Sequence, residues 1–441
     1  MSRIPRSDVL ASLPAAELGR SLSEFLEPVT RLLPEARLRA VAKEMVHGIA
    51  ASQSPVVAQI ARGVPHTEAT IWPTSKRGYR FLTNERFNQR MLLKGLYGIA
   101  QRTVATQAPD YLVVAVDPVN FEKPYTRHLE GVSTVMKSTP PSLNGDKRLT
   151  RGYPAITATI VNLPQPATSY AHWFSYVTAD FVSENWEIYR ALRTTRALFR
   201  DIQVRFVGDS GLDDQKIFAQ VDRLQGEFVF RACHDRRLEV YNDRLHRWES
   251  ELLFDLTASV PFEFTQTVRF THARKTRLAT MRFGWLKVRL PETPQVLWVL
   301  VAHDVERNHD LVLLTNVPLQ SAADVRTVYG DWRLRSRIEH GYRFDQEEGL
   351  DVEDMRVHTL ERMRRLFILV LLAAQFVFYI GRTWPSVAVL WLRQLGGKLG
   401  RRDDLDGPYV LLRGISAVWH AAATCTFLAH HLFPSACFTY G

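Results

Sequence analysis

Tyr111-Leu112-Val113-Val114-Ala115-Val116-Asp117 is the stretch from which the fold is read. It is a short apolar run, rich in valine, that ends on a carboxylate. A run this brief and this β-branched reads as a buried strand. Rigid strand backbone then presents Asp117 at the edge of a sheet. Ile202-Gln203-Val204-Arg205-Phe206-Val207-Gly208-Asp209 repeats the pattern and delivers a second acid. A third, Glu339, follows in an arginine-rich helical stretch. Two strands and a helix thus bring three carboxylates. Such hard oxygen donors suit a pair of Mg²⁺ ions serving phosphoryl transfer. Asp213 and Asp214, just downstream, compete for the place of the second acid.

Outward from these strands the chain divides into five parts. Residues 1–104 carry helical periodicity, with Leu18, Leu22, Phe25, Leu26 and Val29 on one face. Ser54–Arg62 resembles the first half of a helix-turn-helix, so this part reads as a helical N-terminal DNA-binding domain, or as a helical cap on the core. Residues 105–210 open an α/β core. Tyr153–Asn162 and Ser169–Ala179 alternate as strands, and Ser183–Phe199 reads as a helix capped by Ser183. Residues 211–331 form a β-rich insertion studded with Arg269, Arg274, Lys275, Arg277, Arg282, Lys287 and Arg289. Bases on alternate strand positions would line one face of a sheet and track phosphates. Residues 332–380 resume the core with the third acid, and residues 381–441 form a C-terminal helical region.

The composition fits this reading. The chain has 441 residues, of which 46% are hydrophobic and 23% charged, and its net charge is +10. That is ordinary globular material with a basic surplus suited to a polyanion, nucleic acid before an anionic membrane. Cys233, Cys425 and Cys437 lack metal-ligand spacing and suit a reducing compartment. Met1–Glu17 lacks the apolar core of a signal peptide. The uncharged run Leu366–Ile380 sits at the short edge for a membrane span, and a buried helix explains it equally well. His420, His430 and His431 have no acids or cysteines near them in sequence and read as core or surface residues.

Taken together, the motifs resemble the insertion-sequence-4 type of DDE transposase over roughly residues 40–380. The third-acid signature of that family runs Tyr, Arg, Glu, Lys at fixed spacing. Counted from Glu339, Arg335 takes the Arg place and Ile338 the apolar place before the acid, while Trp332 and Gln346 stand where the family has Tyr and Lys. Val114–Asp117 with Lys123 resembles the first-acid strand, and Val207–Gly211 with Phe218 the second.

The resemblance implies an RNase H-like α/β core with a β-rich insertion and a helical N-terminal domain. It implies a transposase that cuts the terminal inverted repeats of its element, passes through a DNA hairpin and joins the ends to target DNA. Asp117, Asp209 and Glu339 would hold two Mg²⁺ ions, replaceable by Mn²⁺. Lys123, Arg335, Arg343, Arg274, Lys275 and Arg277 would contact DNA, and Trp285 or Trp298 would receive a flipped base. A homodimer at synapsis and a cytoplasmic, nucleoid-associated location in a prokaryote follow from the same resemblance, without a membrane. An RNase H-like nuclease lacking strand transfer, or a non-catalytic DNA-binding relic, would retain the same outline.

Overall fold

A computed structural model describes residues 14–64, 70–124, 126, 128–137, 148–233, 235–272, 275–291, 293, 295–338, 350–397 and 407–431. Glu339, Arg343, Gln346 and Arg274 lie outside the described residues.

Six helices come first: α1 (Ala15–Phe25), α2 (Glu27–Thr30), α3 (Ala36–Ser52), α4 (Val57–Gly63), α5 (Ile71–Leu82) and α6 (Gln89–Gln107). Thr83 closes α5, and α6 begins only at Gln89, after the extended residue Asn88. The strands β1 (Tyr111–Glu122), β2 (Ser133–Met136), β3 (Leu149–Ile160) and β4 (Ala167–Trp173) follow. Next come α7 (Glu184–Leu198), β5 (Gln203–Gly208), α8 (Gln215–Arg223) and β6 (Glu227–Arg231). Ser183 caps α7 as expected, its hydroxyl accepting from the Trp186 N–H at 3.1 Å.

The remaining strands are β7 (Arg237–Asn242), β8 (Arg247–Leu252), β9 (Phe264–His272), β10 (Lys275–Arg289), β11 (Val296–Asp304) and β12 (His309–Thr315), with α9 (Leu253–Ser259) between β8 and β9. Helices α10 (Ala322–Arg333), α11 (Leu360–Thr383), α12 (Ser386–Gly396) and α13 (Pro408–His431) complete the chain.

The strands form one mixed sheet in the order β2-β3-β1-β5-β6-β12-β11-β10-β7-β8, with β4 also on β3 and β9 also on β10. β1, β5 and β6 run parallel, and the other described pairings are antiparallel. The fold is therefore mixed α/β. The helix α8 between β5 and β6 is the crossover that two adjacent parallel strands require. The parallel block extends to Arg231, past the expected boundary at residue 210. The β-rich stretch after it is a continuation of the same sheet, joined edge to edge through β12 on β6.

Each face of the sheet has its own core. Leu112, Val114, Val116, Phe206, Phe228 and Phe230 face one core, shared with α6, α7, α8 and α11. Val113, Ala115, Val207 and Val229 face the other, covered by Val325, Val328 and Tyr329 of α10. Burial on both faces explains why these strands read as continuous apolar runs.

α11 contains the apolar run once open to a membrane reading. It is long and apolar enough to cross a membrane by length and composition, with a mean hydropathy of 1.9 over its window, yet 72% of that window is buried within the protein. A helix apolar all round is accommodated because the sheet lies on one side and terminal helices on the other. Arg365 ties it to the first domain by donating to the carbonyls of Asn84 at 2.7 Å and Phe87 at 3.1 Å. The N-terminal helices thus pack on the core as a cap.

Candidate active site

β1 and β5 run side by side in parallel, with Tyr111 opposite Gln203 and Ala115 opposite Val207. Two residues further along each strand are Asp117 and Asp209. Asp209 lies just past β5 with extended backbone, at φ −88° and ψ −169°, so the side-chain alternation of the strand continues through it. Both acids therefore share the face of Ala115 and Val207, on the side covered by α10. Adjacent strands lie about 4.8 Å apart, which sets the scale of the separation between the two acids. Both residues are half-buried.

The two competing acids are committed elsewhere. The Asp213 side chain is fully buried, accepts the Cys233 N–H at 2.7 Å and pairs with Arg236 at 2.6 Å. Asp214 caps α8, accepting the Lys216 N–H at 2.6 Å and the Asn185 amide at 3.0 Å. Asp209 makes a lighter attachment, accepting only the Gly211 N–H at 3.0 Å among the described residues. It remains the better placed second acid.

The segment that leads to Glu339 is stitched across this face. Asp331, near the end of α10, pairs with Arg205 of β5 and accepts the Tyr111 hydroxyl at 3.1 Å, while Arg205 also pairs with Glu227 at 2.7 Å. Burial pushes the Asp331 carboxyl up from its ordinary range, and the Arg205 guanidinium opposes that shift in part. Trp332 donates its indole N–H to the carbonyl of Gly208 at 3.0 Å, one residue before Asp209. Trp332 thus makes a specific contact next to Asp209. Arg335 places its guanidinium 5.7 Å from the centre of the Trp332 ring. Arg337 donates to the carbonyls of Leu163 at 2.7 Å and Pro164 at 2.8 Å, and to that of Val161. Ile338 then lines a small cavity, about 30 Å³, with Thr157 and Thr159. Thr157 is the cross-strand partner of Asp117. The described chain stops there, one residue short of Glu339.

Three expectations about DNA contacts are corrected. Lys123 is buried, and its ammonium donates to the carbonyls of Val352 and Met355, both at 3.4 Å, and of Glu353. Burial, partly offset by nearby carboxylates, lowers its pKa to about 8. It anchors the end of β1 and presents nothing to a phosphate. Arg277 forms a two-pronged pair with Asp304 and lies 5.2 Å from the centre of the Phe270 ring. This pairing lowers the Asp304 carboxyl to about 2. The single basic sheet face also fails. Ala279, Met281 and Phe283 point into the second core, so Arg277 shares their face, whereas Arg269 and Arg282 lie on the opposite one. Arg289 is further committed to Glu239. Lys275 opens β10.

Trp285 and Trp298 are half-buried and pack against the second core on the acid-bearing face. Successive cross-strand partners place Arg231, Leu313, Leu300 and Trp285 in one row, and Asp209 lies level with it, one residue past the last β5–β6 pair, Gly208 and Phe230. Trp285 is thus four strand spacings, about 19 Å, from Asp209. A base flipped beside Asp209 would have to span that distance.

The same row holds a residue that sequence reasoning missed. Arg231 ends β6 as the neighbour of Asp209, alternates with Phe230 onto the acid-bearing face, and is exposed. Among the described residues its side chain makes no ion pair. Asp117 lies midway along β1, which runs on past the expected end to Glu122, whereas Asp209 follows β5 and Arg231 ends β6; the three stand on adjacent parallel strands. The signal was present in Phe228-Val229-Phe230-Arg231, an apolar alternation ending on a base.

Among the described residues no three His, Cys, Asp or Glu side chains converge to hold a metal ion. Compared with models of known protein families and with curated proteins, the sequence matches none.

Proposed function

We propose that this chain is a DNA-processing phosphoryl-transfer enzyme, a DDE-type transposase with an RNase H-like core. The observation that carries the reading is that Asp117 and Asp209 each lie two residues beyond the last paired residues, Ala115 and Val207, of adjacent parallel strands. The order β4-β3-β1-β5-β6 supports it. Three antiparallel strands, a helix and two parallel strands are the arrangement an RNase H-like core has. The stitching of residues 331–338 across the acid-bearing face supports Glu339 as the third member.

Two half-buried carboxylates on adjacent strands fit a divalent cation by their donor chemistry, since Mg²⁺ selects hard oxygen ligands. Asp117 and Asp209 would hold it, joined by Glu339. When bound, Mg²⁺ supplies Lewis-acid activation of a water or 3′-hydroxyl and neutralises charge on the leaving oxygen. The chain's own residues do the rest. Arg231 holds a non-bridging phosphate oxygen from the strand next to Asp209. Arg335, braced over Trp332, does so from the other side. The helical N-terminal part contributes further DNA contacts, and the enzyme works in the cytoplasm as a homodimer on two transposon ends.

The test is cleavage of a duplex carrying the flanking terminal repeats of its own element, with Mg²⁺ or Mn²⁺ and with a chelator. Metal-dependent nicks at the repeat boundary, lost in Asp117→Asn and in Asp209→Asn, support the assignment. Full activity in both variants removes it.

A further inference from the structure

On the far side of the sheet a cleft of about 720 Å³ opens between the C-terminal halves of α7 and α8. Arginines dominate its wall: Arg190, Arg193, Arg196, Arg200 and Arg223. None of its described lining residues is acidic. Two of the arginines have structural tasks. Arg190 is held by Glu187 at 3.0 Å. Arg196 closes two helix ends, donating to the carbonyls of Phe199 at 2.7 Å and Arg200 at 2.8 Å after α7, and of Leu224 at 3.0 Å after α8. That satisfies the cationic preference of a helix C-terminus. Arg193, Arg200 and Arg223 have no such task. All three are exposed and form no ion pair among the described residues.

A second, independent observation comes from the wall itself. Tyr170 lines the cleft and is only 5% exposed, and its hydroxyl is buried with no hydrogen-bond partner. Buried phenols normally find a partner, because an unpaired polar atom away from water is costly. Three uncommitted guanidiniums, in a wall that also holds an unpartnered hydroxyl donor beside Arg190, form a receptor for an oxyanion.

We infer that this cleft is a second phosphate-binding site, which takes the sugar-phosphate backbone of DNA. It is separate from the acid pair. α7 leads into the amino end of β5, whereas Asp209 follows its carboxyl end. The six residues of β5 rise about 3.3 Å each, so the two sites lie roughly 20 Å apart. A phosphate in the cleft is therefore a different one from the phosphate at the acids. A backbone running past it is gripped at a distance from the cut, which fixes register without reading sequence.

The experiment uses the full chain with a chelator present, so that cleavage plays no part. Binding of a fluorescein-labelled 30-base-pair duplex is followed by anisotropy across a salt series. Inorganic pyrophosphate serves as a second probe, followed by its effect on the thermal midpoint. Variants are the triple Arg193→Ala, Arg200→Ala, Arg223→Ala, and Tyr170→Phe, with Asp117→Asn alongside.

The triple variant is expected to weaken duplex binding at least tenfold and to flatten the salt slope by about 2 to 3 units, as loss of three phosphate contacts requires. Tyr170→Phe is expected to weaken it severalfold without lowering the thermal midpoint. Pyrophosphate stabilisation lost in the same variants, with duplex affinity intact, assigns the phosphate chemistry to a small ligand and overturns the DNA assignment. Wild-type behaviour of both variants toward both probes overturns the site altogether. Reduced duplex affinity in the arginine variants, with no cleavage by the wild-type protein under any metal, keeps this inference and removes the proposed reaction.

Discussion

Lys123 and Arg231 have the same formal charge and opposite circumstances. Lys123 is enclosed beneath three carbonyls, so its charge holds the turn at residues 352–355 to β1. Lys123→Met is expected to destabilise the fold by about 1 to 3 kcal/mol, because buried carbonyls lose their donor. Duplex affinity should stay within twofold. Chemical denaturation and anisotropy on the same sample decide the matter; lost affinity with unchanged stability would restore the phosphate contact. Arg231 is the reverse case. Exposed at the end of β6, it supports little of the fold, so Arg231→Ala should move stability by less than about 0.5 kcal/mol. Single-turnover cleavage should fall by roughly tenfold or more, the scale of one charged transition-state contact. Equal cleavage rates would exclude it from the site. Neither circumstance can be read from sequence, because burial of a base depends on what the fold places over it.

At the scale of elements, the stretch from α10 to Ile338 decides whether a third acid reaches the first two. Its attachment rests on the Arg205–Asp331 pair, the Trp332–Gly208 bond and the Arg337 clamp. Trp332→Phe keeps an aromatic ring and removes the single N–H donor. The expected cost is about 1 kcal/mol of stability, together with a cleavage rate lowered about tenfold through a displaced third segment. Thermal midpoints and cleavage rates measured together test this. A rate as high as wild type would mean that the Arg205 and Arg337 attachments position the segment without Trp332. The acid-bearing strands themselves were legible in sequence as valine-rich runs carrying an acid, but β1 runs on past Asp117 to Glu122 because β3 continues to pair with it. The role of Trp332 was not, because its partner is a backbone carbonyl 124 positions away. The basic strand face was misread for a related reason. Alternation assigns bases to a face, and only the fold shows that Asp304 and Glu239 neutralise two of them.

At the scale of the whole molecule, the sheet passes without a break from the acid-bearing strands into the β-rich stretch, so boundaries drawn from composition cut through continuous structure. The helices at the two ends of the chain meet around α11, a long-range packing no local pattern encodes. His47 of α3 marks that junction. It stacks on Trp419 of α13 with ring centres 4.0 Å apart, and burial, aided by His420, lowers its pKa from 6.5 to about 4. The sign follows from linkage. Between these two values the unfolded chain holds a proton that the folded chain excludes, so stability is full above pH 6.5 and falls as the pH drops toward 4. At pH 5 the loss from this one group is about 2 kcal/mol. His172, buried against Glu187, has its pKa lowered by burial and adds to the loss in the same direction. Urea unfolding at pH 7.5 and pH 5.0 should therefore show a drop in stability that is smaller in His47→Gln by about 2 kcal/mol. Parallel pH dependence in the two proteins would mean that the packing of α3 on α13 admits a charged imidazole, and that acid unfolding starts elsewhere.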